Sequence, residues 1–109
     1  MIELSKDNFD SEIKEHDGIV MVDFWGESCG RCMELMPDII ELADRFSSDM
    51  KFAKLNIKGN RRVAMGQGVM GLPSIVFYKA GEKVEHLTGE ELDIEQIEAA
   101  IQRYVKVEA

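Results

Sequence analysis

Trp25-Gly26-Glu27-Ser28-Cys29-Gly30-Arg31-Cys32 links an apolar run, Gly18–Trp25, to a segment of helical periodicity, and it carries the only two cysteines of the 109-residue chain. Cysteines at i and i+3 share one helical turn, near enough to bridge. The strand-like run before them and the helix-like run after them place Cys29 at a helix N-terminus. Unpaired N–H groups and the positive end of the helix dipole gather there and favour a thiolate. Thiolates attack disulfides, so the stretch points to redox chemistry at sulfur. The competing readings are an inert bridge and half of a zinc site. With only His16 and His86 beside the cysteines, a four-ligand zinc site needs a second chain or a contrived geometry, so no metal and no cofactor are expected.

On the N-terminal side, Gly18–Trp25 is apolar on both alternating faces, the pattern of a buried central strand. On the C-terminal side, Met36, Ile39, Ile40, Ala43 and Phe46 recur at helical spacing, and Pro37 inside that helix predicts a kink. Further out, Ile2–Leu4 reads as a short strand, and Ser5 as the cap of a helix over Asp7–Glu15 with Phe9 and Ile13 on one face. Met50–Ile57 alternates as a strand, with Ala53, Leu55 and Ile57 on one face and Phe52, Lys54 and Asn56 on the other. Asn60–Gly66 reads as a short helix before the glycine-rich stretch Gly66–Gly71. Pro73–Lys79, the turn Ala80-Gly81-Glu82 and Lys83–Thr88 form a predicted hairpin. Asp93, with Gln96 three residues on, caps a last helix whose stripe is Ile94, Ile97, Ile101 and Tyr104. The order is βαβαβαββα, which predicts one α/β domain over residues 1–109 with a central mixed sheet flanked by helices on both faces.

A formal charge of −8 argues against non-specific binding of nucleic acid. The balance is uneven: Lys51, Lys54, Lys58, Arg61 and Arg62 form a basic segment without an acid, whereas the chain from Glu82 onward is acidic. No stretch has the length of a membrane span, and the first residues lack the basic start and apolar core of a signal peptide. A cytoplasmic location is therefore expected, where a CxxC pair is more often catalytic than structural. The seven methionines read mostly as core filler.

Taken together, Val22-Asp23-Phe24-Trp25, Cys29-Gly30-x-Cys32 with Pro37 five residues on, Ala53-Lys54-Leu55-Asn56-Ile57, Gly71-Leu72-Pro73-Ser74 and Gly89 resemble a thioredoxin over almost the whole chain. The resemblance implies the thioredoxin fold, with its active site at the strand-to-helix junction. It casts Cys29 as nucleophile and Cys32 as resolving thiol. Thioredoxin is a standard reference for such pairs, with a potential of about −270 mV. Asp23 shares a strand face with Ile19, Met21 and Trp25, so its carboxyl is expected to be desolvated and its pKa raised. By resemblance it exchanges a proton with the resolving cysteine, and Lys54 approaches it. A strand-end acid and a plain surface lysine are the plainer alternatives. The resemblance also makes Pro73 cis and facing the cysteines, with Leu72 just before it offering backbone groups to an extended substrate. Trp25, Gly30, Arg31 and Gly89 complete the expected substrate-binding surface.

Arg31 departs from the proline that thioredoxins usually carry. A guanidinium near Cys29 favours its thiolate and makes the couple less reducing, unless its charge is screened in solvent. Ser28, Met33, Met70 and Lys58 also depart, and they predict a docking face with little aromatic surface, some exposed methionine and a basic rim of Arg31, Lys58, Arg61 and Arg62 suited to an acidic partner. The expected function is reduction of protein disulfides by a monomeric electron carrier, serving disulfide-containing targets and fed by a donor of thioredoxin-reductase type. It would need neither nucleic acid nor membrane. A disulfide oxidant or isomerase, and a docking module with incidental cysteines, are the alternatives.

Overall fold

The computed structural model describes residues 1–108. Five strands form one mixed sheet in the order β1-β3-β2-β4-β5. They are β1 (Ile2–Leu4), β2 (Ile19–Trp25), β3 (Lys51–Asn56), β4 (Ser74–Lys79) and β5 (Glu82–Thr88), joined with α1 (Gly30–Arg45), α2 (Arg61–Gly66) and α3 (Ile94–Glu108). β2 lies at the centre and, like its neighbour β4, is buried on both faces. It pairs in parallel with β3 and antiparallel with β4.

Alternation along the strands divides the core in two. Ile19 and Met21 of β2, Phe52 of β3 and Ile75 and Phe77 of β4 face α1 and α3. Val20, Val22 and Phe24 turn the other way, against Phe9, Ile13, Ala64 and Val69. Helices therefore cover both faces of the sheet, as the apolar periodicity predicts. β5 is an edge strand, protected by its charged residues and by a register shift opposite Phe77/Tyr78.

The first predicted helix is shorter than expected and differently wound. Asp10–Lys14 is a π-helical turn, closed by a bond from Glu15 N–H to Asp10 O at 3.0 Å. Ahead of it, local polar contacts hold the chain in a turn. Asn8 Oδ1 accepts from Ser5 N–H at 2.7 Å, and Ser5 Oγ accepts from Asp7 N–H at 3.1 Å. These side-chain bonds compete with a regular helical ladder. Phe9 and Ile13 are nonetheless buried together, as expected.

The hairpin turn is Ala80-Gly81, with φ of 51° and 82°, and Lys79 paired to Glu82. Two positive φ values suit the right-handed twist of a two-residue hairpin. At Gly81 a Cβ would lie 2.3 Å from the carbonyl oxygen of Lys14, so the turn also packs closely on the π-helical segment. Gly81→Ala is expected to lower stability by ~2 kcal/mol through clash and backbone strain, whereas Ala80→Gly changes it by less than ~1 kcal/mol. Urea midpoints of the two variants test the contrast; equal midpoints would remove the close-packing account.

Candidate active site

β2 ends at Trp25, and the chain turns through Gly26–Ser28 into α1. Gly26 is buried where a Cβ would press on Leu72 Cδ1 at 3.2 Å. Cys29 is the N-cap of α1, with its Sγ accepting the Cys32 N–H at 3.1 Å. The capping sulfur thus occupies the place usually held by a serine or aspartate oxygen. That N–H, together with the helix dipole, favours negative charge on Cys29 sulfur once the bond is opened. Cys29 and Cys32 are disulfide-bonded with their Cα atoms 5.2 Å apart. Cys29 is partly exposed and Cys32 is buried. Gly30 is exposed and its missing Cβ would meet nothing within 4 Å, so no contact requires glycine there.

Asp23 is 2% exposed, and its Oδ2 has no hydrogen-bond partner. Burial raises its pKa from 3.8 to about 7, and the positive charge of Lys54 limits the rise. Strand register accounts for the pairing, because Asp23 lies directly beside Lys54 of β3. Lys54 Nζ also lies 6.0 Å from the Trp25 ring centroid, so its stem and charge cover the buried end of β2. Trp25 is partly exposed, and its Nε1 is buried without a partner.

The antiparallel register of β2 and β4 sets Ser74 opposite Phe24, which brings Pro73 to the Trp25 end of the sheet. The Leu72–Pro73 peptide is cis, Pro73 is buried, and Leu72 is partly exposed. Gly89 has a φ of 114° and donates its N–H to Pro73 O at 3.4 Å. The segments carrying Cys29, Leu72–Pro73 and Gly89 thus lie at the Trp25 end of the sheet.

Arg31 takes a position the sequence did not foretell. Its Nε and Nη2 both donate to Leu92 O, at 3.0 and 2.8 Å, and Glu34 approaches Nη1 at 3.6 Å. The guanidinium is a clasp between α1 and the loop after β5, and Glu34 offsets part of its charge. The methionines divide: exposed Met33 and Met70 fit the expected docking face, whereas the reading of most methionines as core filler fails. Met21, Met36 and Met50 are buried, but Met33, Met65 and Met70 are exposed, Met70 to 81%. Lys58, Arg61 and Arg62 are exposed as the predicted basic rim. A polar cluster of Ser74, His86 and Thr88 beneath Pro73 escaped the sequence reading altogether.

A strand-to-helix junction that caps the helix with one cysteine sulfur and buries the other, with a desolvated acid on the preceding strand, defines a dithiol–disulfide exchange protein. The thioredoxin family model matches residues 1–103. A thioredoxin of Acetoanaerobium sticklandii is 41% identical over 105 residues, covering 96% of this chain and 100% of that one. A thioredoxin of Peptoclostridium acidaminophilum is 40% identical, covering 96% of each. Among solved structures, a mutant thioredoxin from Halobacterium salinarum superposes with a TM-score of 0.82 at 27% identity, covering 95% of this chain and 89% of that one. The chain belongs to the thioredoxin family and is a thiol–disulfide oxidoreductase.

The raised pKa of Asp23 has a consequence for stability. Between about pH 4 and 7 the folded carboxyl keeps a proton that the unfolded chain gives up. The folded state therefore binds more protons, and stability falls as pH rises through this window. The full shift corresponds to a loss on the order of 4 kcal/mol by pH 8. Asp23→Asn in the oxidised protein is expected to flatten this dependence, matching the parent near pH 4 and exceeding its stability at pH 8. Urea unfolding at the two pH values tests it; a difference independent of pH would mean that Asp23 does not ionise in the core.

Proposed function

We propose that the chain reduces protein disulfides as an electron carrier, cycling Cys29 and Cys32 between dithiol and disulfide. The observations that carry the reading are the Cys29 sulfur as N-cap of α1 and a buried, proton-retaining Asp23 on β2, the strand that leads into it. Cys29 thiolate attacks one sulfur of a substrate disulfide, forming a mixed disulfide and releasing the other sulfur as a thiolate. Asp23, as its carboxylate, accepts the proton of Cys32. The Cys32 thiolate then attacks Cys29 Sγ, which expels the second substrate sulfur and closes the Cys29–Cys32 bond. Two electrons pass to the substrate, and an external dithiol donor must return them. Lys54 stabilises the Asp23 carboxylate during the transfer. Leu72 and Gly89 flank an extended substrate segment, with Pro73 and Trp25 walling the sulfur pair.

The donor is of thioredoxin-reductase type, the targets are disulfide-containing proteins, and the setting is cytoplasmic, with the chain a monomer. No helix of the described residues is long and apolar enough to cross a membrane, and the family relatives are bacterial thioredoxins. The exposed Lys58, Arg61 and Arg62 suit an acidic partner surface despite the chain's net charge of −8.

Insulin reduction with dithiothreitol is expected to be lost in Cys29→Ser, whereas Cys32→Ser accumulates a mixed disulfide with substrate, visible by mass spectrometry. Turnover unchanged in Cys29→Ser would leave only a docking role. Arg31 is expected to hold the potential tens of millivolts above the family reference of about −270 mV. Arg31→Gln should therefore shift it to a more negative value in equilibration with glutathione. An unchanged potential would show that the Leu92 and Glu34 contacts have taken the charge out of play.

A further inference from the structure

Beneath Leu72–Pro73, a chain of hydrogen bonds runs from the edge of the sheet to the loop that the substrate is read as lying on. Lys83 Nζ lies 2.9 Å from His86 Nδ1 and also donates to Gln67 O at 2.9 Å. An ammonium group has only donors, so Nδ1 accepts and the proton of the neutral ring sits on Nε2. Nε2 lies 2.9 Å from Ser74 Oγ, which donates to Gly71 O at 2.7 Å and contacts Thr88 Oγ1 at 3.0 Å. Thr88 Oγ1 donates to Pro73 O at 2.8 Å. The carbonyls on either side of Leu72 are therefore both tied inward. In a trans peptide the N–H points opposite the C=O. Drawing Gly71 O toward Ser74 consequently turns Leu72 N–H outward, where it is free to meet a substrate carbonyl.

We propose that His86, braced by Lys83, is a positioning residue for peptide capture: through Ser74 it fixes the Gly71–Leu72 peptide so that Leu72 N–H is presented to an extended substrate. The proposal rests on the reading of Leu72–Pro73 as the substrate ledge. It concerns neither sulfur and leaves the exchange chemistry untouched. It also carries a built-in pH response. Protonated His86 would put an N–H at Nδ1 against the Lys83 ammonium, so the brace holds only while the imidazole is neutral. Burial, followed by the charge of Lys83, lowers the pKa of His86 below its ordinary 6.5, which keeps the brace intact at neutral pH. The other ionisable groups nearby do not oppose this. Tyr78 on β4 donates to Gln67 Oε1 and is held neutral by burial, and Glu85 is bonded to Arg103 and Tyr104 of α3.

The test compares the parent with His86→Gln, which retains a neutral donor at the Nε2 position, and His86→Leu, which has none. In the oxidised protein, where no thiol titrates, the amide signals of Gly71, Leu72 and Ser74 should move with the His86 ring signals at a midpoint below 6.5. That movement should vanish in His86→Gln. In the reduced protein, second-order rates are measured with insulin and with 2-hydroxyethyl disulfide, which has no peptide group to pair with Leu72. Their ratio cancels the changing thiolate fraction. It should fall about fivefold on acidification through the same midpoint in the parent, stay level in His86→Gln, and be low at every pH in His86→Leu. Amides that do not follow His86, a ratio that falls equally in parent and His86→Gln, or a parent-like ratio in His86→Leu at pH 7.5 would each overturn the proposal. Failure to reduce either disulfide would instead refute the exchange reading, and the amide titration would then decide the coupling.

Discussion

β2 is paired on both sides, and its register with β3 and β4 decides what surrounds the sulfur pair. The parallel register sets Lys54 beside Asp23, and the antiparallel register sets Ser74 beside Phe24. A slip of one residue in either pairing would turn every side chain to the opposite face. Asp23 would then leave the α1 side for the Val20–Phe24 side, and Pro73 would no longer meet the Trp25 end. Slippage is resisted because both faces of β2 are packed. Val20, Met21, Val22 and Phe24 are all fully buried, so no shifted register leaves the strand's apolar surface satisfied.

The same stretch of chain sets two opposing electrostatic demands six residues apart. Around Asp23, desolvation outweighs the Lys54 charge, and the carboxyl holds its proton to about pH 7. Around Cys29, the capped N-terminus of α1 works the other way and favours the charged form of sulfur. Neutral acid and anionic nucleophile are thus compatible near neutrality, although both groups are acids. Lys54 moderates the first demand without abolishing it, because it reaches Asp23 from the neighbouring strand and shares its charge with the face of Trp25.

Most of this was legible in the sequence because it is written in side-chain pattern. The apolar run of β2, broken only by Asp23, marks the centre of the sheet, the family resemblance sets Lys54 near Asp23 as the register does, and the Asp93/Gln96 pair forms the reciprocal cap of α3 as expected. The failures share a physical cause: the deciding partner is a backbone atom or a local turn. Ser5 and Asn8 bond the nearby main chain and shorten the first helix to a π-helical turn. Arg31 finds the carbonyl of Leu92, sixty-one positions away, and an oxygen present in every residue leaves no mark in composition or spacing. Met65 escaped for a different reason. Met is apolar enough to read as core, yet Met65 lies on a short helix with one buried residue, Ala64.

The contacts that the sequence concealed divide the site's control between two distant supports. Arg31 joins α1 to the loop after β5, and Leu92 N–H in turn bonds Gly89 O while Gly89 N–H bonds Pro73 O. His86 reaches the opposite flank of the same ledge through Ser74 and Gly71 O. The first support begins between the two cysteines and brings charge close to them. The second begins on the edge strand and carries only orientation. Changes in the first therefore alter the energy of the sulfur pair together with the position of the ledge, whereas changes in the second alter position alone. A chain built in this way can adjust how firmly it holds a substrate without moving the potential at which it exchanges electrons, because the two properties are fixed by bonds to different carbonyls.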